Sequence, residues 1–135
     1  MRQWFAALML LSAGSVSAEE NVMLVLDASG SMWGQIDGKA KIEIAREAVD
    51  QLAVNWKSEN RLGLVAYGHR RKGDCTDIET LFAPQPLDPA ALRAQVQALN
   101  PKGMTPLSAA VIQAAEVLKS SEQKATVILI SDGEE

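Results

Sequence analysis

Five oxygen-bearing side chains carry the chemistry on offer: Asp27, Ser29 and Ser31 in "LVLDASGSMWG" (residues 24–34), Thr105 in "GMTPL" and Asp132 in "ILISDGEE". Asp27, Ser29 and Ser31 alternate along the chain, and in an extended turn a period of two points all three to one side. Gly30 between the serines lets the backbone bend tightly without steric penalty. Oxygen donors drawn from separated loops suit a hard divalent ion such as Mg²⁺, Mn²⁺ or Ca²⁺ rather than zinc. With most of the shell made of neutral hydroxyls, the ion keeps residual positive charge and invites a carboxylate from outside. That favours gripping an acidic partner over activating water, which needs a strong base besides the metal. Each segment also has a plainer reading. Residues 27–31 can be a polar strand-to-helix turn, Thr105 a helix N-cap, and Asp132 a turn residue before glycine.

Strands and helices must bring those loops together. "NVMLVLD" is apolar on both faces and reads as a central strand of a parallel sheet. "KIEIAREAVDQLAVNW" switches to helical period, with Ile42, Ala45, Val49, Leu52 and Trp56 in one stripe. "RLGLVAYG" is a second strand and "DIETLFAPQ" a third, shorter one. The "HRRKGDCT" segment between them is compatible with a hairpin, which makes the third strand an antiparallel edge, ended by Pro84 and Pro86. "DPAALRAQVQALN" opens with Asp88 as N-cap and Pro89 at the first helical position, and buries Leu92, Val96 and Leu99. "GMTPLSAAVIQAAEVLKS" repeats the device with Thr105 and Pro106, its stripe being Leu107, Val111, Ala114 and Leu118. "ATVILISDG" is a further apolar strand ending on Asp132. The alternation predicts a three-layer α/β domain, in which ligands bind beyond the carboxyl ends of the strands. Asp27 and Asp132 sit at such ends, and Thr105 at a helix entrance on the same rim.

Composition narrows the function classes. A hydrophobic fraction of 47% is ordinary for a folded chain, and a net charge of −4 argues against nucleic acid as the main partner. "MRQWFAALMLLSAGSVSA" has Arg2, an apolar run from Trp4 to Leu11 and small residues up to Ala18, the layout of a secretory signal peptide. Its apolar run is shorter than the roughly 20 residues of a membrane span. The expected organisation is therefore a signal at 1–18 and one domain over 19–135, exported to the periplasm or the exterior. Membrane association is compatible with this reading, although these residues do not encode it. Cys75 is the single cysteine, so no disulfide closes within these 135 residues, and a partner thiol beyond them is expected.

"DASGSM", the Thr of "GMTPL" and "SDGEE" resemble the three loops of the metal-ion-dependent adhesion site of von Willebrand factor type A domains. The resemblance runs from about Asn21 to the C-terminus, and "LDASGSMWG" and "YGHR" are most similar to bacterial exported members. It implies a Rossmann-like, mostly parallel sheet of six strands with helices on both faces. Four strands are present, so the chain reads as ending before the last two. It also implies that Ser29 and Ser31 bind a divalent cation, Mg²⁺ foremost, through their hydroxyls. Thr105 would bind directly or through water, and Asp27 and Asp132 largely through water. A Glu or Asp of a partner protein would complete the shell.

"GQIDGK" lacks the P-loop spacing, having three residues between its glycines and Ala40 after Lys39. His69 has no second His or Cys at zinc-ligand spacing. "HRRK" (69–72) reads as a solvated hairpin tip, or else as a patch that steers an acidic partner. Met32 and Trp33 pack on the following helix, or Trp33 anchors a partner. The competing enzyme class is a metal-dependent phosphohydrolase with Asp27 as nucleophile, although Ser29 stands where such enzymes carry a second Asp. A third reading has the metal only stiffening the loops of a structural subunit.

Overall fold

The computed structural model describes residues 19–119 and 124–132. Strand β1 (Glu20–Asp27) lies inside a four-stranded sheet whose order is β5 (Ile78–Pro86), β4 (Arg61–Tyr67), β1 and β6 (Lys124–Ile130). It pairs in parallel with β4 and β6, while β4 pairs antiparallel with β5. The short strands β2 (Gln35–Ile36) and β3 (Lys39–Ala40) form a separate hairpin. Asp37 (φ 51°) and Gly38 (φ 81°) make its turn, the left-handed pair that a two-residue hairpin requires. This hairpin occupies the "GQIDGK" stretch, whose glycine spacing rules out a phosphate loop and whose Asp-Gly pair makes the turn. The segment read as an export signal lies outside the described residues.

The apolar run of β1 explains the layers. On one face Val22, Leu24 and Leu26 pack with Ile42, Ala45 and Val49 of α1 (Lys41–Val54) and with Leu92 and Val96 of α2 (Pro89–Ala98). On the other, Met23 and Val25 pack with Val65, Tyr67 and with Ala110, Ala114 and Leu118 of α3 (Leu107–Leu118). Two helices, a sheet and a third helix give the expected three-layer, mostly parallel α/β architecture with one antiparallel edge strand. β6 closes the other side of the described sheet, and its Leu129 is 42% exposed.

Three local expectations are corrected. Helix α1 ends at Val54 rather than Trp56, whose indole N–H bonds the Asn60 carbonyl at 3.1 Å. In α3 the buried stripe uses Ala110 in place of Val111. Strand β5 ends at Pro86, one of the two prolines expected to end it, but passes through Pro84 because a bulge absorbs that proline. Between the pairs Leu62–Gln85 and Leu64–Phe82, Gly63 alone faces Ala83 and Pro84. Asp88 does cap α2 as expected, accepting from the N–H groups of Ala90 (3.1 Å) and Ala91 (3.2 Å).

The bulge depends on Gly63. A Cβ there would lie 2.9 Å from both the Phe82 carbonyl oxygen and the Pro84 nitrogen, and would strike the Met23 sulfur as well. Backbone cannot yield as a side chain does. Gly63→Ala should therefore lower the unfolding free energy by about 1–3 kcal/mol, read as a reduced denaturant midpoint with an unchanged m-value.

Candidate functional site

At the end of β1 the chain buries a carboxylate. Asp27 and Ser29 are both fully buried. Asp27 Oδ1 accepts the Ser29 N–H (2.9 Å) and the Ser29 hydroxyl (2.6 Å), and Oδ2 accepts the Ser131 hydroxyl at 3.0 Å. Ser29 Oγ lies 3.0 Å from Ser31 Oγ, and the Ser31 hydroxyl donates to Asp132 Oδ2 at 3.0 Å. Four of the five sequence-selected side chains thus form one continuous polar cluster joining the ends of β1 and β6. The route differs from the extended turn expected. Ser29 is extended (φ −73°, ψ 165°), but Gly30–Trp33 coil into a single 3₁₀ turn that brings Ser31 back over Ser29.

The Thr105 segment reaches this cluster through backbone. The Gly30 N–H donates to the Gly103 carbonyl at 2.9 Å, and the Lys102 and Gly103 N–H groups converge on the Gly68 carbonyl at 3.0 and 2.8 Å. Gly68 has φ 77°, and a Cβ on it would lie 2.6 Å from Met104 O and 2.7 Å from Ser29 Cα. Only glycine lets the three loops meet this closely. Thr105 follows directly and is half-buried. It is not the cap expected. α3 has no side-chain cap, because Thr105 O accepts the Leu107 N–H (2.9 Å) across Pro106 at φ −79°, ψ 60°, an inverse γ-turn.

The cluster has a proton shortfall. Asp27–Ser29, Ser29–Ser31 and Ser31–Asp132 make three close oxygen–oxygen contacts, yet two hydroxyls supply only two protons. With both carboxylates charged, one of the three contacts has no proton between its oxygens, and the Lys41 ammonium 3.3 Å from Asp132 Oδ2 is a positive charge at the edge of the cluster. A cation answers that shortfall, and the donors present, carboxylate and hydroxyl oxygens, fit a hard one. Among the described residues no group of three or more His, Cys, Asp or Glu side chains gathers at one point. The cluster has two carboxylates and is otherwise built of hydroxyls.

Sequence reading missed several neighbours. Ser131 bridges Asp27 to Tyr67, whose phenol reaches Ser131 Oγ at 3.4 Å; the Ser-Asp pair ending β6 was the available signal. Burial pushes the Tyr67 phenol well above its usual range; the Ser131 hydrogen bond opposes this and the Asp27 carboxylate adds to it. Lys41, first residue of α1, sets its ammonium 3.3 Å from Asp132 Oδ2. Met32 packs into the core, whereas Trp33 is 50% exposed and fixes its indole N–H on the Pro101 carbonyl at 2.8 Å.

The "HRRK" segment is only partly a solvated tip. His69 is buried and pairs with Glu79 at 2.7 Å, and Arg70 bonds Asp77 Oδ1 at 2.7 Å. Asp77, fully buried, also accepts the backbone N–H groups of Arg70 (2.7 Å) and Arg71 (2.8 Å). Arg71 points outward to Asp74, and Cys75 is an exposed free thiol. This clamp shapes the loop whose Gly68 touches Ser29 and Met104.

A von Willebrand factor type A domain model matches residues 22–134, and the chain belongs to that family. The uncharacterized protein YwmD of Bacillus subtilis (strain 168) is 29% identical over 132 residues, covering 91% of this chain and 59% of YwmD. Inter-alpha-trypsin inhibitor heavy chain H2 of Sus scrofa is 26% identical over 123 residues, 85% of this chain but 12% of that protein. Among solved structures, the vWF domain of the type V pili tip protein Mfa5 from Porphyromonas gingivalis superposes with a TM-score of 0.68 at 26% identity. That match covers 87% of this chain and 39% of the Mfa5 chain. No helix among the described residues is long and apolar enough to cross a membrane.

The Asp77 clamp has a pH signature. Burial pushes its carboxyl up, but the Arg70 side chain and the Arg71 and Arg70 N–H groups outweigh that and hold it below the ordinary value. A depressed folded-state value means that the stabilisation is complete above the unfolded value of about 3.9 and is lost as pH falls through the folded one. Asp77→Asn should cost about 3 kcal/mol at neutral pH. In urea titrations, the gap between wild type and variant should shrink as pH drops below about 4.

Proposed function

We propose that this domain is a protein-interaction module that holds a divalent cation, Mg²⁺ foremost with Mn²⁺ or Ca²⁺ as alternatives, in the Asp27–Ser29–Ser31–Thr105–Asp132 cluster. The ion then grips an Asp or Glu side chain of a partner protein. The observation that carries this reading is the proton shortfall along Asp27, Ser29, Ser31 and Asp132. Ser29, Ser31 and Thr105 would hold the ion through hydroxyl oxygens, and Asp27 and Asp132 would orient the shell and balance its charge. The ion's chemistry is Lewis acidity toward a carboxylate oxygen. No carboxyl acid or base stands two residues after Asp27; Ser29 is there, donating back to Asp27. That favours binding over phosphoryl transfer.

The rim fits an acidic protein segment. Trp33 is 50% and Met104 44% exposed beside the loops, offering an apolar shelf for a residue flanking the gripped carboxylate. Lys72 and Lys102 add exposed positive charge that steers acidic partners. A place outside the cytoplasm agrees with this reading, since similar vWF domains occur in a pilus tip protein.

Calorimetric titration of Mg²⁺, Mn²⁺ and Ca²⁺ into the full chain tests the reading. Wild type should bind at least one ion, and Ser29→Ala and Asp132→Ala should each weaken it about 10–100-fold while leaving the circular dichroism spectrum unchanged. A folded wild type indifferent to all three ions would refute the proposal.

A further inference from the structure

Lys41 stands where a cation is disfavoured. It is the first residue of α1, at the positive end of the helix dipole, where acidic side chains are the stabilising choice. Its backbone N–H donates to the Gly34 carbonyl at 2.8 Å, which ties the start of α1 to the 3₁₀ turn. The ammonium ends 3.3 Å from Asp132 Oδ2, the oxygen that also accepts the Ser31 hydroxyl. The Asp132 side chain is 7% exposed and that of Lys41 24%. Met32, Ile36, Ile44 and Ile130 line the cleft beside them, of about 150 Å³, so the pair is poorly screened.

We propose that Lys41 sets the charge of the cation site, an inference that rests on the reading above. Two carboxylates alone would cancel a divalent ion and leave little pull on a third. With the Lys41 ammonium fixed on Asp132, the loaded cluster carries one net positive charge. Lys41 therefore loosens the hold on the ion and strengthens the attraction for a foreign carboxylate. It is a positioning residue that exchanges ion affinity for partner affinity.

Lys41→Met keeps the aliphatic stem and removes the charge; Lys41→Gln does the same with a polar end, and Lys41→Arg keeps the charge. Titrated with Mg²⁺ alone, the Met and Gln variants of the full chain should bind about tenfold more tightly than wild type, and Arg should stay close to wild type. The Mg²⁺-induced rise in melting temperature should grow in step. With Mn²⁺ bound, paramagnetic broadening of the acetate methyl resonance should fall several-fold in the neutral variants relative to wild type. Unchanged or weaker Mg²⁺ affinity in both neutral variants, with wild type binding normally, overturns the charge-setting role and leaves the ion site standing. Tighter Mg²⁺ binding with undiminished acetate broadening overturns the carboxylate half. Absence of ion binding by wild type removes the site itself and this inference with it.

Discussion

The constraint from which the rest follows is the burial of the Asp27 carboxylate at the end of the central strand. A charge taken out of water costs several kcal/mol unless hydrogen bonds replace its hydration. Asp27 is fully buried and accepts from Ser29 N, Ser29 Oγ and Ser131 Oγ. These donors come from two chain segments, the turn after β1 and the end of β6. To satisfy one carboxylate, the fold must bring the carboxyl ends of adjacent parallel strands together. Parallel pairing of β1 with β6, in register from Glu20 with Lys124 to Leu26 with Ile130, does that.

Close approach then depends on the absence of side chains. Gly68 and Gly103 occupy the seams between loops, where a Cβ on Gly103 would collide with the Arg71 carbonyl. The β4–β5 loop holds its path through Asp77, buried under two backbone N–H groups and the Arg70 guanidinium. The carboxylate that stiffens this loop is separate from the carboxylates of the cluster. The Asp27–Ser31 loop is therefore supported by a wall it does not build.

Much of this was legible in the sequence. The strand runs and helical stripes placed every major element within a few residues, since burial on both faces of β1 demands an unbroken apolar run and amphipathic helices demand period 3.6. The asparagine-free hairpin at Asp37–Gly38 was missed because two-residue strands carry no hydrophobic pattern. Pro84 misled because a bulge, set by Gly63 on the neighbouring strand, is a pairwise feature that one strand's residues cannot announce. At the site, Asp27, Ser29, Ser31 and Asp132 stand in one hydrogen-bonded chain as their types suggested. Thr105 lies on a loop that meets the cluster through its neighbours' backbone, and its role as a cap failed on the γ-turn through Pro106. Lys41 was invisible for a different reason, and Ser131 was signalled only by its place beside Asp132. Their importance comes from where a side chain ends, three ångströms from a carboxylate contributed by the far end of the chain.

The arrangement also explains why hydroxyls and not further carboxylates fill the middle of the cluster. Ser29 and Ser31 each have one proton and two lone pairs. Their contacts with Asp27, Asp132 and each other use every proton available and still leave lone pairs over. Aspartates in their place would add negative charge at 3 Å spacing, where like carboxylates cannot both ionise without a large penalty. Neutral oxygens let the loops pack without a counter-ion as a condition of folding, and yet present an electron-rich centre.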